Sequence, residues 1–199
     1  MYNTPPADFR HQVHWALEHG YQFVPPSLVA EGRALSTDLA LTFDDGLASV
    51  GENAAPFLAE LGIPFTLFII SGNTGGLRLD WAGISAAHAM GAGIGSHSVS
   101  HPDFSQLSAE QSQHELLDSA AEIESRTGAH VTEFAIPFGR ARNWSDAAQQ
   151  TARGRYDYVY SFCQQGQFPG TIPRTPILGF DGIHGFIAAL EGRLDRWHD

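Results

Sequence analysis

Leu39-Ala40-Leu41-Thr42-Phe43-Asp44-Asp45-Gly46 is the stretch that decides the fold. An almost unbroken apolar run from Leu39 to Phe43 reads as a strand, and it stops abruptly at two carboxylates and a glycine, the composition of a turn. A second stretch repeats the pattern. Gly93 to His97 reads as a strand, and His97-Ser98-Val99-Ser100-His101-Pro102 follows, with imidazoles at i and i+4. Together the two ends offer two histidines and one aspartate to a metal, with one aspartate left over. Three protein ligands leave a coordination position open for water, which is the minimum equipment of a metal-dependent hydrolase.

Outward from these two stretches, short apolar strands alternate with amphipathic helices. Asp8 to His19 places Phe9, Val13, Ala16 and Leu17 on one helical face, with Gly20 as its stop. Tyr21 to Val24 is a strand before Pro25-Pro26. Glu52 to Leu61 is a helix, and Pro64 to Ile70 is a continuous apolar strand buried on both faces. Trp81 to Met90 is a helix. Ser108 and Gln111 form a capping box that opens a long helix to Arg126. Val131 to Pro137, Tyr156 to Phe162 and Pro173 to Leu178 are strands. Trp144 to Arg153 and Ile183 to Trp197 are helices, the latter closing the chain.

About seven strands alternating with helices predict a parallel β/α architecture. Both opening motifs then lie at C-terminal strand ends, as do Ile136-Pro137-Phe138-Gly139-Arg140 and Phe162-Cys163-Gln164. That rim is where a β/α barrel carries its active site, and an open doubly wound sheet would place its site beyond the same ends. The phosphate-binding glycine pattern of a dinucleotide fold is missing, since Gly91-Ala92-Gly93 precedes a strand and not a helix.

The bulk properties narrow the function. The 199 residues suit one domain over 1–199, with 43% hydrophobic and 17% charged residues. The net charge is -11 and the 11 basic residues are dispersed, so no nucleic-acid partner is expected. Cys163 is the only cysteine, which excludes an internal disulfide framework and reads as a packed thiol near the rim. No signal peptide and no membrane-spanning run is visible, so a cytoplasmic location is the default expectation; a chain trimmed of an export signal would look the same.

Adjacent aspartates on an extended strand end point in different directions, so Asp44 and Asp45 cannot easily share a role. One can bind a metal while the other faces the reacting centre. His97 and His101 converge if the chain turns helically between them. A divalent ion in such a site acidifies its water to a pKa of about 7 in the best zinc cases, and the spare aspartate can take the proton.

The two motifs resemble those of the polysaccharide deacetylases (carbohydrate esterase family 4, the NodB-homology domain). The resemblance runs from Phe9–Tyr21 through Pro56 to Pro64 and on to Pro173-Arg174. It implies a distorted (β/α)7 barrel, TIM-barrel-like, that removes N-acetyl groups from a poly- or oligosaccharide with a divalent metal, usually zinc. Position by position, it implies Asp44 as the catalytic base and Asp45, His97 and His101 as metal ligands. Phe134-Ala135-Ile136-Pro137-Phe138-Gly139 resembles the third motif, so Pro137, Phe138 and Gly139 would line the substrate groove.

The pattern departs from the family in two places. Many members have an arginine that orients the base where this chain has Ala135, and Arg174 is the candidate replacement, against a plain surface ion pair. The final motif, an apolar strand ending in a catalytic-acid histidine, is not recognisable; His184 is the candidate in that region. Other readings stay open: a different C–N or ester hydrolase on the same scaffold (cyclic imide, purine-derived ring, O-acetyl sugar), or a carbohydrate-binding protein with a degenerate site. Trp81 and Trp144 are candidates for a sugar platform or for the core.

Overall fold

The structure, a computed structural model, describes residues 4–162, 168–179 and 181–196. Cys163, Gln164, Trp197 and His198 lie outside the described residues. Six parallel strands form the main sheet in chain order. With β1 (Gln22–Phe23) and β2 (Asp38–Leu39) paired separately, these are β3 (Leu41–Phe43), β4 (Phe65–Ile69), β5 (Ala92–Ser96), β6 (Glu133–Ala135), β7 (Tyr158–Phe162) and β8 (Ile172–Arg174). The sheet curls into a half-barrel with helices on its outside. The helices are α1 (Pro6–Glu18), α2 (Pro26–Ala30), α3 (Ala55–Glu60), α4 (Trp81–Ala89), α5 (Ala109–Thr127), α6 (Asp146–Arg155) and α7 (Gly182–Leu190).

The alternation expected from the sequence is therefore present, with local differences that have causes. The strand read as Leu39–Phe43 is two strands. Leu39 belongs to β2 beside β1, and the chain changes sheets at Ala40 to join β4. Strand β1 ends at Phe23 because Pro25 and Pro26 cannot donate to a ladder, and Pro26 instead opens α2, a short helix the sequence reading did not include. The helix read from Glu52 begins as a π turn, Val50–Ala54. Pro56, in the first turn of α3, has no N–H to donate back, and the turn widens ahead of it. The last helix breaks after Leu190 at Gly192, φ 69°, and resumes as a 3-10 turn, Arg193–Arg196. The capping box at Ser108 and Gln111 is formed as expected.

Period-two alternation sorts the strand residues into two sets. Phe65, Leu67 and Ile69 of β4, with Ile94 and Phe134, pack in the large core with Leu58, Ile84, Leu116 and Ile123 of the helices. The opposite face lines the inside of the curl. There Phe68, Ala135 and Tyr160 form a small cluster, and Glu133 accepts hydrogen bonds from Thr66 Oγ1 at 2.8 Å and the Tyr160 hydroxyl at 2.9 Å. Gly95 shares this inner face because a Cβ there would stand 2.5 Å from the Phe68 ring. Phe68 thus takes its place in the interior opposite a glycine. On α1, Val13 and Ala16 are buried as expected, while Leu17 is 40% exposed.

Tyr156, in the turn before β7, shows how tightly the outer layer is joined. Its hydroxyl donates to the Leu116 carbonyl of α5 at 2.6 Å, and burial pushes its pKa up to about 12. The folded chain therefore keeps this proton where the unfolded chain, with an ordinary tyrosine near 10, begins to lose it. Its contribution to stability is complete below pH ~10 and is lost as pH rises toward the folded value. Tyr156→Phe should cost about 1 kcal/mol in urea denaturation at pH 7 and flatten the loss of stability between about pH 10 and 12. An alkaline slope as steep as the parent's would contradict this account.

Candidate metal centre

The same alternation that fills the interior aims the rim residues. Thr42 and Asp44 continue the inner face of β3, His97 continues that of β5 after Gly93 and Gly95, and Arg174 is the last residue of β8 after Ile172. Asp44 and Arg174 meet. Arg174 Nη1 donates to Asp44 Oδ1 at 2.7 Å and Nη2 to Oδ2 at 3.0 Å, a bidentate fork, and Nη1 also donates to Thr42 Oγ1 at 3.0 Å. The guanidinium lies 5.2 to 5.8 Å from the Phe68, Tyr160 and Phe162 ring centroids, which exclude water from its faces. Burial alone would push the Asp44 carboxyl up, but Arg174, with His97 and His101, holds it below the ordinary carboxylate value.

Asp45 points the other way, as adjacent strand-end residues must. Its backbone turns at φ 68°, and its carbonyl accepts from Arg78 Nε at 3.0 Å. Asp45 Oδ1 lies 3.8 Å from His97 Nε2 and 3.7 Å from His101 Nε2. The three ligand atoms fall within 4.8 Å of one another. Two bonds of ~2.0–2.2 Å at a tetrahedral angle subtend about 3.3 Å, so the carboxylate–imidazole spacings stand near the value an ion needs and the widest spacing would close around it. The donor set fits in a second way. His97 Nδ1 lies 2.8 Å from the Ala135 carbonyl, which makes Nδ1–H the donor and leaves the Nε2 lone pair facing Asp45. Burial, reinforced by His97 alongside, pulls the His101 pKa below its ordinary value, so this imidazole is neutral and ready to ligate at pH 7.

The third rim loop closes one side. Phe138 sits at φ 63°, 47% exposed, with its ring 4.6 Å from that of His101 at 72°. Pro137 and Gly139 are buried beneath it. Gly139, at φ 69°, admits no side chain, since a Cβ would stand 2.5 Å from the Phe162 ring. The loop is tied to the histidine loop by Asn143, whose Nδ2 donates to Asp103 Oδ2 at 2.7 Å.

Asp44, Arg174, Asp45, His97, His101 and Phe138 thus gather at one rim. His184 does not join them. It is exposed on α7, which packs on α1, and among the described residues no hydrogen bond, ion pair or ring contact links it to this group. Trp144 is in the core, 4% exposed, between Phe104 and Phe134, and Trp81 packs against the same core; neither forms an open platform. Asp80 caps α4 through the Gly83 N–H. Arg78 and the Asp103–Asn143 pair escaped the sequence reading. Their partners are a backbone carbonyl and a residue of another loop, and no spacing in the chain signals either.

A carboxylate–imidazole cluster beside an arginine-paired aspartate thus stands at the C-terminal rim of a parallel β/α half-barrel, the end at which β/α folds carry their sites. The sequence matches the family described as "Polysaccharide deacetylase" over residues 32–159, and the chain belongs to that family. It is 27% identical over 143 residues, 69% of its length, to YxkH of Bacillus subtilis (strain 168), a protein assigned to the polysaccharide deacetylases. It is 28% identical over 106 residues, 53% of its length, to a bifunctional xylanase/deacetylase of Pseudobutyrivibrio xylanivorans. The matched part makes up 51% of the first relative and 17% of the second. Among solved structures, Streptococcus pyogenes deacetylase PplD, in complex with acetate, superposes with TM-score 0.83 at 22% identity, covering 96% of this chain and 88% of that one. IcaB from Ammonifex degensii superposes with TM-score 0.78 at 20% identity, covering 94% and 88%. These likenesses establish the fold.

Two measurements test this geometry. Arg174→Met should raise the Asp44 carboxyl pKa from its depressed value to or beyond the ordinary ~3.9, read by carbon-13 NMR titration, because burial then acts unopposed by the guanidinium. An unmoved Asp44 would show that Arg174 is not the cause. Binding of Zn2+, followed by calorimetry, should weaken only as pH falls below the ordinary imidazole value of ~6.5, where His101, its pKa held down by burial, takes up a proton. Binding that strengthens on acidification would exclude these imidazoles as ligands.

Proposed function

We propose that this protein removes N-acetyl groups from an N-acetylated poly- or oligosaccharide, with a divalent metal, zinc the first candidate, held by Asp45, His97 and His101. The observation that carries the reading is the separation of two adjacent carboxylates into two environments: Asp44 forked by Arg174, Asp45 facing two imidazoles. When bound, the metal supplies Lewis acidity for the attacking water and the acetamide carbonyl.

The remaining steps belong to this chain's own residues. Asp44 is held ionised, so its carboxylate accepts the proton of the attacking water and returns it to the departing amine. Arg174 fixes the orientation of that carboxylate and keeps it charged through its fork. A backbone N–H near Phe138 donates to the oxygen on which charge develops, and the exposed Phe138 ring offers an apolar wall to the acetyl methyl. His184, remote from this group in contacts, has no part in these steps.

Support comes from the family membership, from the Asp–His–His cluster and from the likeness in fold to a deacetylase solved with acetate. Acetate release from N-acetylchitooligosaccharides and from acetylated xylan, and ring opening of a cyclic imide, each with Zn2+ present, separate the substrate classes. The N-acetyl sugar should be turned over fastest. Preference for the xylan ester would move the reading to O-deacetylation, and Zn2+ binding without hydrolysis of any of the three would indicate a binding protein. Asp44→Asn should reduce hydrolysis by at least about 100-fold while Zn2+ remains bound, and His101→Ala should lose both. Full activity in Asp44→Asn would end the assignment of Asp44 as base.

A further inference from the structure

Two glutamates are buried among the described residues. Glu133 is accounted for inside the curl, bonded to Thr66 and Tyr160. Glu115, 8% exposed on α5, pairs with no basic side chain among the described residues and faces the turn between the two site histidines. Its Oε2 accepts the N–H groups of both Val99 and Ser100 at 2.9 Å, and its Oε1 accepts the Ser100 hydroxyl at 2.7 Å. All three bonds fall within the residues that separate His97 from His101.

That turn needs holding. Ser98 and His101 lie at φ 70° and 62°, a left-handed region costly for residues with a Cβ. The carbonyls of Ser98 and Val99 are taken by the N–H groups of Ser71 and Gly72 beyond β4. The donors of Val99 and Ser100 point the opposite way, into α5, where Glu115 meets them. The turn is thus gripped from both sides, and the grip on the donor side is a single carboxylate. A carboxylate suits three converging donors because it is acceptor-only on both oxygens, whereas a glutamine has one acceptor oxygen for the same three. Bonds to an ionised acceptor are also the stronger kind.

We propose that Glu115 is a positioning residue for the metal group: by fixing the Val99–Ser100 turn it sets the spacing and aim of the His97 and His101 Nε2 atoms, and so the affinity for a divalent ion. The inference rests on the metal site proposed above. Outer partners that orient metal ligands typically account for about 10–100-fold in affinity, and that is the effect expected here.

The test is Zn2+ affinity of the full chain at pH 7 by competition with a chelating dye, with the Co2+ absorption spectrum as a readout of ligand geometry. Glu115→Ala should raise the Zn2+ Kd about 10–100-fold and alter the Co2+ bands. Glu115→Gln, which keeps one acceptor, should restore part of the affinity. Glu124→Ala is the control for a purely structural brace. Glu124 sits on the same helix and accepts the Val131 N–H at 3.0 Å, so its loss should lower the melting temperature without moving the Zn2+ Kd. A folded Glu115→Ala with the parent Kd and Co2+ spectrum overturns the proposal. If Glu115→Ala does not fold, Glu115→Gln and Ser100→Ala decide, and parent affinity in both overturns it equally. Parent protein that binds no Zn2+ would instead remove the metal reading itself.

Discussion

The bidentate pair between Arg174 and Asp44 ties together the two edges of the main sheet. Strand β3 and strand β8 are the first and last of six and do not pair with each other, yet the guanidinium at the end of β8 reaches both Thr42 and Asp44 at the end of β3. The half-barrel is closed at its rim by a side-chain fork, not by a backbone ladder. A charged pair held among three aromatic rings costs desolvation energy, which its geometry must offset, and a two-bond fork is the arrangement best able to do so. Inside the curl Phe68 stands against Gly95, where a Cβ would lie 2.5 Å from its ring, so a larger residue at 95 would displace the ring or the strands. Closure, interior packing and the charge of Asp44 are thus one problem with one solution.

Strain is concentrated at the same rim. Among the described residues, the non-glycine positions with positive φ are Asp45, Ser98, His101 and Phe138, two of them proposed ligands, one within the turn that joins the histidines and one the exposed ring beside them. Each costs on the order of 1–3 kcal/mol, tolerable only where surrounding bonds over-determine the conformation. Those bonds are present. Arg78 holds the Asp45 carbonyl, Ser98 Oγ accepts the His101 N–H at 2.8 Å, and Glu115 gathers the turn. Holding the two imidazoles and the carboxylate in place for the proposed ion is the use that strain would have.

The legibility of the sequence follows the range of each interaction. The strand–helix alternation, the Ser108 capping box and the divergence of Asp44 from Asp45 arise within a few residues, and all three are present, the strands with shifted ends. The split at Ala40 arises from pairing with distant strands and differs from the local reading, and packing of distant segments decided between the two readings of Trp144. Arg174 is the instructive case. Its partner stands 130 positions earlier, so chain spacing carried no information about it, and only the resemblance to a known family made it a candidate.

The sequence alone determined the fold class, the two strand ends that meet at the rim and the division of the aspartates, because strand periodicity and turn composition are local properties of the chain. The tertiary structure alone decided which arginine meets Asp44, that His184 stands apart, and how the histidine turn is gripped by α5. Those outcomes depend on the curvature of the sheet and on which helix face lies beneath the rim. Both are set by packing among all the strands at once, and no segment encodes them by itself.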